Sequence, residues 1–308
     1  MNDAANSIAT IVSTRVLTPL VAVLWSAFFN FMAVFIFGTH VADTIGKGVI
    51  NPDIVNEYSI LAALIGAVIL VFICTRFGLP ICVSHALIGG LIGPALFFYG
   101  PSALIASGII KILVFIVLSP IIGFILAYFI MILTMLIFRK QAPLKVDHLF
   151  RYLQLLSSAV FSLGHGGNDA QKTMGIITIL LYTSGVLSTP DVPMWVVYTC
   201  YITISLGTLT GGWKVIRTLG NGLTDLKPVQ GFCAETAGAI TLIGTAFLGI
   251  PVSTTHTVTG SIIGVGITRR FSAVRWGTAS HIVAAWVLTI PEALQVSAIV
   301  YLVSSVFI

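Results

Sequence analysis

Charge is scarce in this chain. Asp, Glu, Lys and Arg together make up 8% of its 308 residues, where a soluble domain carries about a quarter. A water-soluble globular fold is therefore excluded. Cysteine is equally sparing. Cys74, Cys82, Cys200 and Cys233 each stand alone in an apolar segment with no CxxC, which leaves neither a disulfide framework nor a metal-ligand spacing and reads as small buried hydrophobes. Basic patches with interleaved aromatics are missing too. The net charge of +5 comes from residues placed singly or in pairs in the connections, the pattern of membrane-protein loops and not of a nucleic-acid surface. No cleavable leader is visible. Met1 falls inside a polar motif, and the expectation is a first repeat lacking its leading helix.

What is present is apolar. Hydrophobic residues reach 57% and mean hydropathy is +1.06. Runs close to the ~20 residues that cross a bilayer recur along the whole length, giving about ten segments in one all-α integral membrane protein. Residues 1–14 read as a helix with a polar face, because Asn2 and Asn6, and Asp3 and Ser7, are four apart. An apolar span over 20–38 and a polar connection over 39–58 follow. Arms 60–75 and 83–98, each somewhat short for a span, meet at Gly78-Leu79-Pro80. Spans over 103–119 and 121–138 lead to a basic segment, 139–154, placed in the cytoplasm by Arg139, Lys140, Lys145 and Arg151. Beyond it come a helix over 151–163, a span over 193–210, arms 232–248 and 255–268 around Gly249-Ile250-Pro251, and spans over 278–290 and 292–308.

The second half repeats the first. MNDAANSIAT (1–10) returns as GGNDAQKTMG (166–175), and GLPICVSH (78–85) returns as GIPVSTTH (249–256). Aligning Pro80 with Pro251 also superposes Ser84 on Thr255, His85 on His256, Gly89 on Gly260 and Gly93 on Gly264. The expected organisation is two repeats, 1–138 and 155–308, joined by the linker 139–154. Interrupted apolar segments at matching places in two halves point to a transporter's central binding site. Backbone outside a helix is tolerated at membrane depth only where it is buried in protein or lines a cavity, which favours two re-entrant hairpins. Two ordinary helices meeting at a surface loop are the competing arrangement.

Each second arm opens with hydroxyls and with backbone N–H groups that lack helical acceptors, so it can hold an oxyanion without arginine. Ser84, Ser253, Thr254 and Thr255 are the candidate ligands of a tetrahedral anion; ordinary helix capping would use the same residue types. Asp3 and Asp169 lie in strongly apolar surroundings, where a carboxylate costs about 2.5–3.5 kcal/mol. They require a cation, a proton or a bracing polar network. Asn2, Asn6, Asn168 and Thr173 supply further oxygens, and Lys172 can pair with Asp169 or reach the anion. Glu235, inside an apolar arm, is a second candidate for coupling to a cation or proton. His85 and His256 read as hydrogen-bonded groups, with no second ligand at metal spacing; His165 is a pH-sensitive group or a turn residue. Arg76 either lines the anion path or marks a wet hairpin tip. No cofactor beyond a coupling Na⁺ or H⁺ is expected.

The stretches 2–19, 162–176, 227–239 and 249–264, notably the paired Asn-Asp motifs and Pro-Val-Ser-Thr-Thr-His, resemble the inorganic phosphate transporter (PiT) family, and its shorter bacterial members most. The resemblance extends over essentially the whole chain. It implies inverted-topology repeats, two helical hairpins meeting at a central phosphate, Na⁺ or H⁺ symport, a bacterial cell-membrane location and often a homodimer. Carried onto this sequence, it places phosphate against Ser84, Ser253, Thr254 and Thr255, and gives Asn2, Asp3, Asn168 and Asp169 to the cation and the site. The chain departs from the family at Ile81-Cys82-Val83, where further hydroxyls are usual, and at Glu292, usually small and apolar. Sulfate or another oxyanion on the same scaffold is the nearest alternative function. An intramembrane hydrolase built on Ser253 and His256, and a passive anion channel, are more distant ones.

Overall fold

The computed structural model describes residues 2–306; Met1, where the missing-helix expectation falls, and residues 307–308 lie outside them. The described residues form twelve α-helices joined by short 3₁₀ and π turns, with no strand. In order they are α1 (Ala4–Ser13), α2 (Pro19–Met32), α3 (His40–Gly48), α4 (Glu57–Phe77), α5 (Val83–Pro94), α6 (Ala106–Phe138), α7 (Pro143–Thr183), α8 (Met194–Leu209), α9 (Trp213–Gly222), α10 (Pro228–Phe247), α11 (Thr254–Ile267) and α12 (Trp276–Ser304).

By length and composition α4, α6 and α12 can each cross a bilayer, and α2 with α3, bent by 83°, forms a fourth candidate. Their outward faces carry Val68, Phe72, Phe129 and Val287, all exposed. This is the arrangement expected of a protein whose solvent at that level is lipid.

Five expectations change. The arm read over 60–75 is a 21-residue helix, long enough to span. The two spans over 103–119 and 121–138 are the single helix α6, and the last two are the single helix α12. Pro120 and Pro291 suggested breaks, but each is carried inside its helix. A proline in a membrane helix frees only one carbonyl, and a neighbour can take it up. At Pro120 the freed group is the Ile116 carbonyl, which accepts from His256 Nδ1 at 3.1 Å. The polar connection over 39–58 also holds a helix, α3, and α7 runs unbroken from the basic segment into the second Asn-Asp motif.

Helices α4 and α10 both stop at a left-handed glycine, Gly78 at φ 77° and Gly249 at φ 63°. Only glycine takes that conformation without strain, and a proline two residues on prevents the helix from resuming. The chain then enters α5 or α11, which pack against α4 and α10 respectively.

Packing between the halves is reciprocal. Helix α5 lies against α12, and α11 against α6; α3 lies against α7, and α9 against α1. The short helices brace the opposite breaks through matching bonds: Thr44 of α3 donates to the Gly249 carbonyl at 2.7 Å, and Thr218 of α9 to that of Gly78 at 3.1 Å. The glycines at 89, 93, 260 and 264 make the α5–α12 and α11–α6 contacts possible. A Cβ at Gly260 would lie 2.1 Å from the Pro120 carbonyl oxygen, and one at Gly93 2.2 Å from that of Leu294.

Candidate functional site

Both Asn-Asp motifs sit beside the start of α11. Asp3 precedes α1 at a position where an aspartate usually caps its own helix, yet its side chain makes no capping bond. Its Oδ1 instead accepts from Asn6 Nδ2 and from Thr255 Oγ1, both at 3.2 Å. Asp169, inside α7, accepts from Thr254 Oγ1 at 3.1 Å. Consecutive threonines therefore bind the two carboxylates, one each. Asn6 ties them together, donating to Thr254 Oγ1 at 3.0 Å and to Thr255 Oγ1 at 2.9 Å.

Lys172 projects from the same side of α7 and is 2% exposed, a burial that an ammonium tolerates only when paired. Its Nζ donates to Asp169 Oδ1 at 2.7 Å, to Ser84 Oγ at 2.6 Å and to the Val252 carbonyl at 2.6 Å. One cation thus joins the second Asn-Asp motif to the starts of both α5 and α11. Val252 is a partner that no sequence signal names, because it acts through its backbone. On the far side of Asp169, His165 Nε2 lies 3.2 Å from Oδ2, while its Nδ1 meets Asn30 Oδ1 at 3.0 Å. Asn30 on α2 also escaped the sequence reading, having the look of one polar residue in an aromatic span.

Three buried amide oxygens point at no donor among the described residues: Asn2 Oδ1, Asn6 Oδ1 and Asn168 Oδ1. Their amide nitrogens are used, Asn2 on Thr75 Oγ1 and the Leu79 carbonyl, and Asn168 on the Leu242 carbonyl at 2.7 Å. A buried oxygen left without a donor costs ~1–3 kcal/mol, and hard oxygens of this kind suit a hard cation. A cavity of about 460 Å³ opens beside Asn2, lined also by Asp3, Ser84, Asp169, Lys172 and Thr173 among others.

Glu235 lies apart, 1% exposed in α10. Its Oε1 accepts from Thr10 at 2.6 Å and Gln154 at 3.0 Å, and its Oε2 accepts from Ser157 at 2.6 Å. Every partner is neutral. Arg76 is exposed at the end of α4 and reaches none of these groups; its carbonyl accepts from Lys214. Ser253 caps α11, its Oγ accepting from the His256 backbone N–H at 3.1 Å, so Ser253 and His256 meet as a helix cap and not as nucleophile and base. The His85 and His256 rings lie 4.6 Å apart edge to face.

Known proteins resemble this chain in sequence and in fold. The chain matches the phosphate transporter family model (PHO4) over residues 1–297. It is 56% identical to a probable low-affinity inorganic phosphate transporter of Rhizobium meliloti, covering 98% of this chain and 90% of that protein. Against one of the same description from Bacillus subtilis it is 41% identical, over 98% and 91% of the two chains. A solved structure described as the sodium-dependent phosphate transporter superposes with a TM-score of 0.92 at 27% identity, covering all of this chain and 95% of that one.

Proposed function

Because this chain belongs to the phosphate transporter family, we propose that its hydroxyl-lined centre carries inorganic phosphate inward across the cell membrane, in symport with Na⁺ or H⁺. The observation that carries the reading is the binding of both duplicated carboxylates by Thr254 and Thr255 at one helix start. Phosphate arriving there takes the hydroxyls of Ser84, Ser253, Thr254 and Thr255 and the N–H groups of the first turns. Thr254 and Thr255 exchange one oxyanion partner for another.

Charge supports the coupling. Asp3 and Asp169 place two carboxyl groups beside the single ammonium of Lys172 and the His165 ring, so the site is short of fixed cationic groups. Adding a phosphate anion raises that deficit at membrane depth, where unpaired charge is costly. A cation must enter with it. Asn2, Asn6, Asn168 and the two aspartates are the oxygens assigned to that cation, with Thr173 at the edge of the cavity. Glu235, held by Thr10, Gln154 and Ser157, is assigned to a second coupling position.

The scaffold we infer is two inverted repeats, 1–138 and 155–308, joined by the basic linker 139–154 on the cytoplasmic side, with α4–α5 and α10–α11 as re-entrant hairpins. The reciprocal packing of α5 on α12 and α11 on α6 supports this. Motion of the hairpin-bearing part against the rest would give alternating access, and a homodimer is the assembly proposed.

The test is labelled phosphate uptake into proteoliposomes, with imposed Na⁺ or pH gradients. Uptake should follow one of the two gradients, resist competition by sulfate, and disappear in Asp169→Asn and in the double variant Ser253→Ala/Thr255→Ala. Flux indifferent to both gradients, or wild-type rates in those variants, would remove the assignment.

A further inference from the structure

In sequence only Cys82 and His85 stand near each other, and the fold brings His256 to them. Cys82 ends the loop before α5, His85 lies in the first turn of α5, and His256 holds the corresponding place in α11. Each is 1% exposed. One ligand atom of each, the cysteine Sγ and a ring nitrogen from each histidine, lies within 4.8 Å of the other two.

The hydrogen bonding leaves these nitrogens open. The Ile116 carbonyl can only accept, so the proton of neutral His256 sits on Nδ1 and its Nε2 carries the lone pair. That Nε2 has no hydrogen-bond partner among the described residues, and neither ring nitrogen of His85 has one. Buried ring nitrogens are seldom left unmatched in this way. A histidine that donates one ring N–H to a backbone carbonyl and keeps the other nitrogen free has the hydrogen bonding of a metal ligand. Trp286 fixes the ring further, stacked on His256 with ring centres 3.7 Å apart.

We propose that Cys82, His85 and His256 form a binding site for a thiophilic d¹⁰ metal ion, with Zn²⁺ as the reference occupant, which fastens the start of α5 to the start of α11. One thiolate with two imidazoles is a three-ligand zinc set that leaves a fourth position for water. Hard cations such as Na⁺ or Mg²⁺ are disfavoured by the sulfur. Tetrahedral ligands around zinc stand about 3.5 Å from one another, a contraction that side-chain rotation can supply. Binding releases the Cys82 thiol proton to water, and both imidazoles stay neutral. A cavity of about 590 Å³ beside α6 and α12 reaches both rings. The site shares no side chain with the hydroxyls and carboxylates assigned to phosphate and its cation.

The test uses the full chain in detergent with Cys74, Cys200 and Cys233 replaced by alanine, leaving Cys82 as the sole thiol. Titration with Co²⁺ should give a thiolate-to-metal charge-transfer band and tetrahedral visible bands that saturate at one equivalent, with Zn²⁺ displacing the Co²⁺. Cys82→Ser should lose the charge-transfer band. His256→Gln should keep it while weakening Zn²⁺ at least about tenfold, and His85→Gln serves if that variant does not fold. Zn²⁺ should raise the Tm of the parent, as a ligand of the native state does, but not that of Cys82→Ser. Equal Zn²⁺ affinity in the parent and Cys82→Ser, or no thiolate band, would overturn the proposal. Neither readout needs phosphate transport, so the result bears on the metal site alone.

Discussion

At the scale of single residues, Lys172 has the most to lose. Its ammonium joins Asp169, Ser84 and the Val252 carbonyl at 2.6–2.7 Å. Lys172→Met leaves Asp169 buried without its cation, and breaking a buried pair in this way costs about 3–5 kcal/mol. The expected outcome is a clear fall in Tm by scanning fluorimetry, together with loss of uptake. Unchanged stability would mean that the pair is not formed. The duplicated Asn-Asp motif was legible because polar residues repeated in an apolar chain have few explanations. Lys172 could be read as a partner of Asp169 from its spacing of three. Its bonds to Ser84 and Val252 could not be read, since they join residues more than 75 positions apart.

At the scale of elements, the α11–α6 contact rests on glycine. A Cβ at Gly260 would come 2.1 Å from the Pro120 carbonyl oxygen, whereas one at Gly244 meets nothing within 4 Å. Gly260→Ala should therefore destabilise by roughly 1–3 kcal/mol through overpacking. Gly244→Ala, exposed in the last turn of α10, should be neutral or stabilising by about 0.4–1 kcal/mol. Paired thermal denaturation curves check the contrast, and equal shifts would refute it. The bracing of the breaks is the second test at this scale. Thr44→Val and Thr218→Val each remove the donor to a left-handed glycine carbonyl in the other half. Both should slow uptake while leaving expression intact, and measuring only one slowed variant would argue against a symmetric role. The sequence pointed to broken arms at 78–80 and 249–251. It did not reveal that α6 and α12 continue through their prolines, because a carbonyl freed by proline is harmless only when a neighbour such as His256 takes it up.

At the scale of the whole molecule, the question is how the cation enters the balance. Glu235 has neutral partners only, and Thr10 and Ser157 both donate to it. Glu235→Gln removes one charge and turns one acceptor into a donor, leaving a hydroxyl to reorient. If Glu235 holds a coupling cation, half-maximal activation of uptake should move to higher cation concentration by about tenfold, the ordinary size of a coupling between sites. Phosphate binding at saturating cation should change little. Uptake measured against cation concentration decides it, and an unchanged activation curve would reduce Glu235 to a structural brace.

Composition and pattern alone determined that this is an all-helical membrane protein with a duplicated polar motif, because a chain with so little charge cannot keep its surface in water. They also picked out the hydroxyls before α11 and the two aspartates, since polar groups in an apolar setting must be matched to something. Only the tertiary structure decided which groups match which. Thr254 serves Asp169 while Thr255 serves Asp3, Glu235 is satisfied without a cationic partner, Arg76 stays outside, and Cys82 meets two histidines. Spacing along a helix reports which face a residue occupies, not which other helix that face will touch.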